Sequence, residues 1–517
     1  MRRIVILSCL ALGALAARAQ SIEVPPTNES GRVIKALIEK SWMDELRWPD
    51  FSDYRKHLRN FYSPNGYDLA WTRDGRPTSQ ALTVIELLQA ADAKGIHATD
   101  YDGPRWTARL KKIDPPRFDL ALTVALMRYI SDLHIGRVNP RNVRFELDIE
   151  HKKYYLPDLV AQVRGSGAPA LLLATIEPPH PEYKRLQTAL ARYRELAAQT
   201  RDDAPLAEPV SPQELARRLQ QLGDTSLEHF QERHGLDPDG KLDRRTLAAL
   251  NVPISRRVKQ IEWALERWRW APMEFDAPPI IVNVPEFRLR AWGDDGKTAL
   301  AMRVVVGQTY GHQTPIFSGD MQYVVFRPYW YVTSNIQRGE LLPKVEKDRA
   351  YLSRNEYEVI GTDGQPLAGN LGDDAIAKLR SGEYRVRQKP GPSNALGLVK
   401  FMFPNQNNVY LHSTPSQTLF SRSRRDFSHG CIRVEEPEAL AAWVLREMPD
   451  WTPERIHAAM HDASDSTQVN LKRAIPVLIL YATAQVDDAG DVHFFDDIYG
   501  HDATLERALA AGYPYPP

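Results

Sequence analysis

At 517 residues the chain is long enough for three or so domains of roughly 100–200 residues each. Lys plus Arg (66) balances Asp plus Glu (66), which excludes the strongly basic field of a nucleic-acid binder. Two cysteines exclude a disulfide framework, a cysteine-rich zinc module and an iron–sulfur cluster, while 43% hydrophobic residues supply ample core.

The chain opens with Met1-Arg2-Arg3, an apolar run over 4–17 and the small-x-small pattern Ala17-Arg18-Ala19. That order reads as a signal peptide over 1–19, since a spanning helix would need about 20 apolar residues. No later stretch approaches that length, so the expected mature protein is periplasmic, without a transmembrane segment. Cleavage would remove Cys9 and leave Cys431 as a lone thiol in an oxidising compartment, where thiols tend to be paired or absent.

Residues 20–205 read as a helical scaffold. Ala81, Leu82, Val84, Ile85, Leu88 and Ala91 recur at helical spacing, as do Leu122, Ala125, Leu126 and Tyr129. Asp114-Pro115-Pro116 and Pro178-Pro179 break the run. A polar, proline-containing linker over 201–210 leads into a small helical module at 206–255. Ser211-Pro212-Gln213-Glu214 predicts a capping box, Gly235 a helix C-cap and Asp239-Gly240 a tight turn. The series Phe230-Gln231, Gly235-Leu236, Asp239-Gly240, Thr246 and Ala249-Leu250-Asn251 is similar to small peptidoglycan-binding domains. Residues 256–277, with Trp263, Trp268 and Trp270, predict a buried helical connector.

From Pro278 the period shortens to that of strands, at 280–284, 287–292, 302–307, 322–326, 398–403 and 408–412. The interruption over 328–390 predicts a capping subdomain inserted beside a site within a mostly-β domain at 278–450. The segment 451–517 predicts a strand pair, 477–486 with 491–495, across Asp487-Asp488-Ala489-Gly490. The fold class expected is therefore multidomain α+β.

The chemistry gathers around Tyr410-Leu411-His412-Ser413-Thr414 and Ser428-His429-Gly430-Cys431-Ile432-Arg433. A thiol with a pKa near 8.5 is mostly protonated at neutral pH, so a cysteine nucleophile needs a neighbouring base. His412 and His429 are both candidates; the strand end favours His412, whose ring the fold would fix. Gly430 removes a side chain where backbone N–H groups can face an oxyanion. A histidine–cysteine pair supplies only two ligands, too few for a zinc site without CxxC or HExxH partners. Arg422, Arg424 and Arg425 form a basic loop, readable equally as substrate steering or plain solvation.

His412 followed by Ser428-His429-Gly430-Cys431 resembles the signature of the L,D-transpeptidases with a YkuD-type catalytic domain. Pro390-Gly391-Pro392-Ser393-Asn394-Ala395-Leu396-Gly397 and Leu411-His412-Ser413-Thr414-Pro415 resemble more narrowly its large multidomain, YcbB-like branch. The resemblance implies Cys431 as nucleophile, His412 as proton donor and acceptor, and the Ser413 carbonyl as the group orienting His412. It implies oxyanion N–H groups at His429, Gly430 and Cys431; Tyr410 and Asn394 are expected substrate contacts. Arg433, which departs from the Asn often found there, reads either as a grip on a stem-peptide carboxylate or as a brace of the active-site turn. It also implies peptidoglycan stem peptides as substrate, carbapenems as acylating inhibitors, 3→3 cross-links as product, and no metal or organic cofactor. The alternatives are a wall-binding scaffold with a relic catalytic domain, or a transferase attaching lipoprotein or D-amino acids to the wall.

Overall fold

The computed structural model describes residues 23–200, 204–367 and 371–513; the expected signal segment 1–19 lies outside them. The chain divides into two compact units. One comprises the chain up to Asp92 with His97–Ser131 and Tyr154–Ile176; the other comprises Ala93–Ile96, Asp132–Lys153 and everything from Glu177 on. Among the described residues, no helix is long and apolar enough to cross a membrane.

The first unit is helical, as its periodicity predicts. Helix Ser79–Gln89 starts at Thr78, whose hydroxyl accepts from the Ala81 N–H at 3.1 Å, and it buries Ala81, Val84, Ile85 and Leu88. Trp71, Trp106, Tyr62 and Tyr101 are buried at its centre. Asp119 is buried among them, accepting from Tyr62 Oη at 2.7 Å and from the N–H groups of Ala70 (3.0 Å) and Trp71 (2.7 Å). Burial outweighs those donors and pushes its carboxyl up to about 6.

In the second unit the long helix Pro181–Gln199 precedes three short ones, Pro212–Leu222, Leu227–Arg233 and Arg244–Leu250. The capping box forms: Ser211 Oγ accepts from the Glu214 N–H at 3.3 Å, and Glu214 accepts from the Ser211 N–H at 2.9 Å. Arg233 is buried, donating to both oxygens of Asp224 at 2.9 and 2.6 Å and to the Val492 carbonyl, which ties this module to the C-terminal segment. Helix α1 (Ile254–Trp270) follows and buries Trp263, Trp268 and Trp270.

Nine strands come next: β1 (Ile280–Asn283), β2 (Arg288–Trp292), β3 (Thr298–Gly307), β4 (Ile316–Phe326), β5 (Val399–Met402), β6 (Leu411–His412), β7 (Asp426–Ser428), β8 (Ile432–Val434) and β9 (Thr467–Leu480). The pairing order β5-β6-β8-β3-β2-β1-β9-β4 returns from β4 to β5, so the sheet closes on itself. Closure leaves none of these eight strands at a free edge. β6–β8 and β1–β9 are parallel pairs, and β7 runs beside β3. Helices α2 (Pro437–Val444) and α3 (Pro453–His461) lie between β8 and β9 in the chain.

β9 departs from expectation. Residues 477–480 pair with β1 and β4 inside the sheet, and the C-terminal strand pair shrinks to Ala484–Val486 with Val492–Phe494. Val477, Leu478, Ile479 and Leu480 are all buried because both neighbours are occupied, so their continuous apolar run marks a central strand rather than a hairpin arm.

The insertion between β4 and β5 has a sheet of its own, Trp330–Tyr331, Arg385–Gln388 and Tyr357–Ile360. Val332, Leu341, Val345, Leu352, Val359, Ile376, Leu379 and Val386 form a hydrophobic cluster there, distinct from the barrel core. Gln337 is buried at its heart, donating to the Leu379 and Tyr384 carbonyls at 2.9 and 3.0 Å and accepting from the Val386 N–H at 3.0 Å.

Candidate active site

The site is laid out by the register of three neighbouring strands. β6 runs parallel to β8 with Leu411 beside Ile432 and His412 beside Arg433, and β5 places Lys400 opposite His412. Leu411, Ile432, Val434, Val399 and Phe401 are fully buried in the barrel core. Burying each such side chain contributes about 1.5–3 kcal/mol, which pins the register. Alternation then sends Lys400, Tyr410, His412, Cys431 and Arg433 to the opposite face together.

Cys431 is a free thiol, partly exposed, with Sγ 3.6 Å from the Asn408 carbonyl. Burial pushes its thiol up; the Tyr410 backbone and hydroxyl, with the charges of Arg433 and Lys400, pull the other way. The Tyr410 hydroxyl is itself pushed up by burial and by facing the Cys431 sulfur. Burial lowers both Lys400 and Arg433, and a thiolate at Cys431 would raise them. Among the described residues neither cation has a carboxylate partner, and Arg433 Nε is buried without a hydrogen bond.

His412 is buried, and its Nδ1–H donates to the Ser413 carbonyl at 2.6 Å. A carbonyl can only accept, so the proton sits on Nδ1 and the lone pair on Nε2. Burial and then the Arg433 charge push the imidazole down to about 3, against the Ser413 and Leu396 carbonyls. The ring is therefore neutral near pH 7. Tyr410 lies edge-on to it at 5.8 Å between ring centroids.

His429 faces elsewhere. Its Nε2–H donates to Glu340 of the insertion at 2.6 Å, and its ring meets His312 edge-on at 4.7 Å. Glu340 lies in a π-helical turn, Gln337–Leu341. The contact thus runs from the insertion to the residue two before Cys431.

Gly430 has φ +113°, a conformation that L side chains rarely adopt, although a Cβ there would meet nothing closer than 3.7 Å. Backbone geometry, not space, requires glycine. Its N–H donates to Ser428 Oγ at 3.1 Å, and its carbonyl accepts from Thr314 Oγ1 at 2.8 Å. Ser428 Oγ also donates to the Cys431 carbonyl at 2.5 Å. Ser428 and Thr314 thus clamp the turn from both sides, and the Gly430 N–H is already engaged.

One expected residue is displaced from the site. Asn394, expected to contact substrate, is wholly buried. Its amide nitrogen faces the carbonyls of Lys389 (2.8 Å), Pro328 (3.1 Å) and Gln388 (3.3 Å), and its oxygen accepts from the Leu396 N–H at 2.8 Å. It fastens the two ends of the insertion together and offers nothing to a ligand. The basic loop is also largely committed. Arg424 pairs with Asp426 at 2.7 Å, and buried Arg425 lies over the Phe287 ring and donates to backbone carbonyls including that of Val304.

Sequence reasoning missed Lys400, Thr314 and Ser428. Lys400 carried a signal, being a lone charge inside the apolar run Leu398-Val399-Lys400-Phe401-Met402-Phe403. Thr314 carried none.

Residues 278–470 match the model of an L,D-transpeptidase catalytic domain, and residues 56–190 match that of a scaffold domain. A protein of Haemophilus influenzae, named provisionally as an L,D-transpeptidase, is 35% identical over 233 residues, or 44% of this chain. That alignment spans 45% of the relative's own length, less than half of it. With the free thiol, the fixed imidazole and the glycine turn on one barrel face, these matches lead to a single reading: residues 278–470 are a catalytic domain of the YkuD-type L,D-transpeptidase family, preceded in the chain by a region that matches a scaffold domain.

Proposed function

We propose that the protein acts in the periplasm, where Cys431 takes the acyl group of a peptidoglycan tetrapeptide stem and passes it to an amine of a second stem. The observation that carries this reading is the shared face of β5, β6 and β8: a free thiol, a neutral imidazole with its Nδ1–H held by Ser413, and two cations without carboxylates. A half-buried guanidinium without an acid partner suits a ligand carboxylate, so Arg433 is the residue to hold the stem's terminal carboxylate.

In the proposed sequence His412 Nε2 accepts the thiol proton as Sγ attacks the carbonyl of the third stem residue. Backbone N–H groups of the 429–431 turn would stabilise the oxyanion, that of Gly430 by releasing Ser428 Oγ. The C–N bond breaks, His412 returns the proton to the departing D-alanine amine, and a thioester remains. The side-chain amine of another stem then attacks, His412 takes its proton, and Sγ leaves to be reprotonated. The product is a 3→3 cross-link. The insertion, tied to the nucleophile turn through Glu340 and His429, would hold water off the thioester and favour aminolysis.

The test is twofold. Mass spectrometry after incubation with a carbapenem should show one covalent adduct, absent in Cys431→Ala. Purified sacculi treated with the enzyme should yield 3→3 muropeptide dimers. An adduct without dimers would move the acceptor to a lipoprotein lysine or a free D-amino acid; no adduct would leave a wall-binding scaffold.

A further inference from the structure

The barrel unit carries a second cluster of chemically capable side chains, on the two helices that follow β8. Glu438 stands in the first turn of α2, and His457 and His461 stand on α3. Their i, i+4 spacing places the two imidazoles on one face of α3, one turn apart. The rings stack at 4.4 Å between centroids with 30° between planes. His457 Nδ1 lies 2.9 Å from Glu438 Oε1, and His461 Nε2 lies 3.8 Å from Glu438 Oε2. One ligand atom from each of the three residues falls within 4.8 Å of the others.

We propose that Glu438, His457 and His461 form a binding site for a divalent transition-metal ion of the zinc class. Two imidazoles and one carboxylate are the donors such an ion prefers, whereas calcium and magnesium take oxygen donors throughout. Three protein ligands with water in the fourth position make an open tetrahedral site. Ligand atoms about 2.1 Å from a tetrahedral zinc lie about 3.4 Å apart. The closest pair here is 2.9 Å and the group spans at most 4.8 Å, so modest rotamer shifts of partly exposed side chains complete the geometry.

A simple ion pair is the weaker account. One carboxylate can answer one imidazolium, and protonating both stacked rings sets two like charges against each other. Among the described residues the His461 ring makes no hydrogen bond, so its lone pair is unused. A divalent cation takes both lone pairs and the carboxylate together. It would bolt α2 to α3 in the segment that runs directly on from β8, the strand that follows Cys431.

The test uses the full chain with Zn2+ and Co2+ as probes. Titration calorimetry should give one equivalent of Zn2+ bound, and thermal melts should rise with added Zn2+. Co2+ should give a visible d–d spectrum without the thiolate charge-transfer band that Cys431 would add. Iodoacetamide should still alkylate Cys431 in saturating Zn2+. His461→Ala should weaken Zn2+ binding about 10-fold or more, and Glu438→Gln and His457→Ala likewise, since loss of outer-shell partners alone costs that much. Circular dichroism of the apo variants should match the parent, because the three side chains are partly exposed. Unchanged affinity in the His457→Ala/His461→Ala double variant, sub-stoichiometric binding, a thiolate band or Zn2+ protection of Cys431 would each overturn the site.

Discussion

The scaffold unit and the catalytic barrel both bury polar groups, and Asp119 in the one and Arg433 in the other are treated in opposite ways. In the scaffold, Asp119 is wholly buried and answered by Tyr62, Ala70 and Trp71. On the barrel, Arg433 Nε is buried and unanswered among the described residues, Lys400 has no acid partner there, and the Cys431 thiol is a free one facing the Tyr410 hydroxyl and the Asn408 carbonyl. A satisfied buried group fixes one conformation and is costly to disturb. An unsatisfied one is a standing cost that a ligand can remove. Neither burial nor one missing partner marks a functional site, since Thr72 Oγ1 of the scaffold unit is also buried without a hydrogen bond; what sets the barrel face apart is an unanswered cation beside a free thiol and an imidazole.

The sharpest way to break this comparison is at the proposed nucleophile, Cys431. Cys431→Ala should abolish the carbapenem adduct and 3→3 dimers while leaving the thermal midpoint close to the parent's, because the thiol is partly exposed and packs little. Retained cross-linking would sink the mechanism.

Next in size is His412. Loss of a general base costs on the order of 10²–10⁴ in rate, so His412→Ala should slow carbapenem acylation by that much. The parent's own pH profile carries a second test. The imidazole is depressed to about 3, so it stays neutral, and its contribution to stability is lost only as pH falls from about 6.5 toward 3. Acylation should therefore show no acid limb between about pH 5 and 7, and should rise toward alkaline pH as the thiol, held above its ordinary value, ionises. A limb near pH 6.5 would mean that the ring is solvated and free to take up a proton.

In the scaffold the effect should appear as stability. Asp119→Ala leaves two buried N–H groups without an acceptor, a loss of about 2–5 kcal/mol by urea unfolding. Asp119→Asn removes the titration. The folded carboxyl is raised to about 6 from 3.8, so the parent's stability from this group is full below about pH 4 and lost as pH rises through about 6. The stability difference between parent and Asp119→Asn should shift over that window; a flat difference would show that Asp119 is hydrated.

The smallest effect belongs to the contact from insertion to turn. Both His429 and Glu340 are about a third or more exposed, so Glu340→Gln should cost less than about 1 kcal/mol of stability. Its signature should be a lower ratio of aminolysis to hydrolysis of the thioester, measured by product analysis at fixed acceptor concentration. An unchanged ratio would reduce the contact to surface decoration.

Much of this was legible in the sequence. The capping box at Ser211 to Glu214, the helix at 79–89, the buried tryptophans of α1 and most barrel strands follow from local spacing and short-range hydrogen bonding. Those signals repeat within a few residues, which is the range over which sequence pattern and backbone geometry are directly coupled. Asn394 failed because motif position cannot tell a ligand contact from a hydrogen-bond staple: both use the same amide, and only the surrounding carbonyls decide. The run at 477–480 failed because a hairpin arm and a central strand share one apolar pattern, and the choice depends on which strands arrive on either side.

By itself, then, the sequence determined the elements, the thiol and histidine pattern and the glycine turn, since these are set by chemistry local to the chain. Tertiary structure alone decided that β6 lies parallel to β8, and from that register came the placement of Lys400, His412, Cys431 and Arg433 on one face. Register between strands distant in sequence is fixed by which apolar side chains can be buried together, a property of the closed barrel as a whole that no single segment encodes.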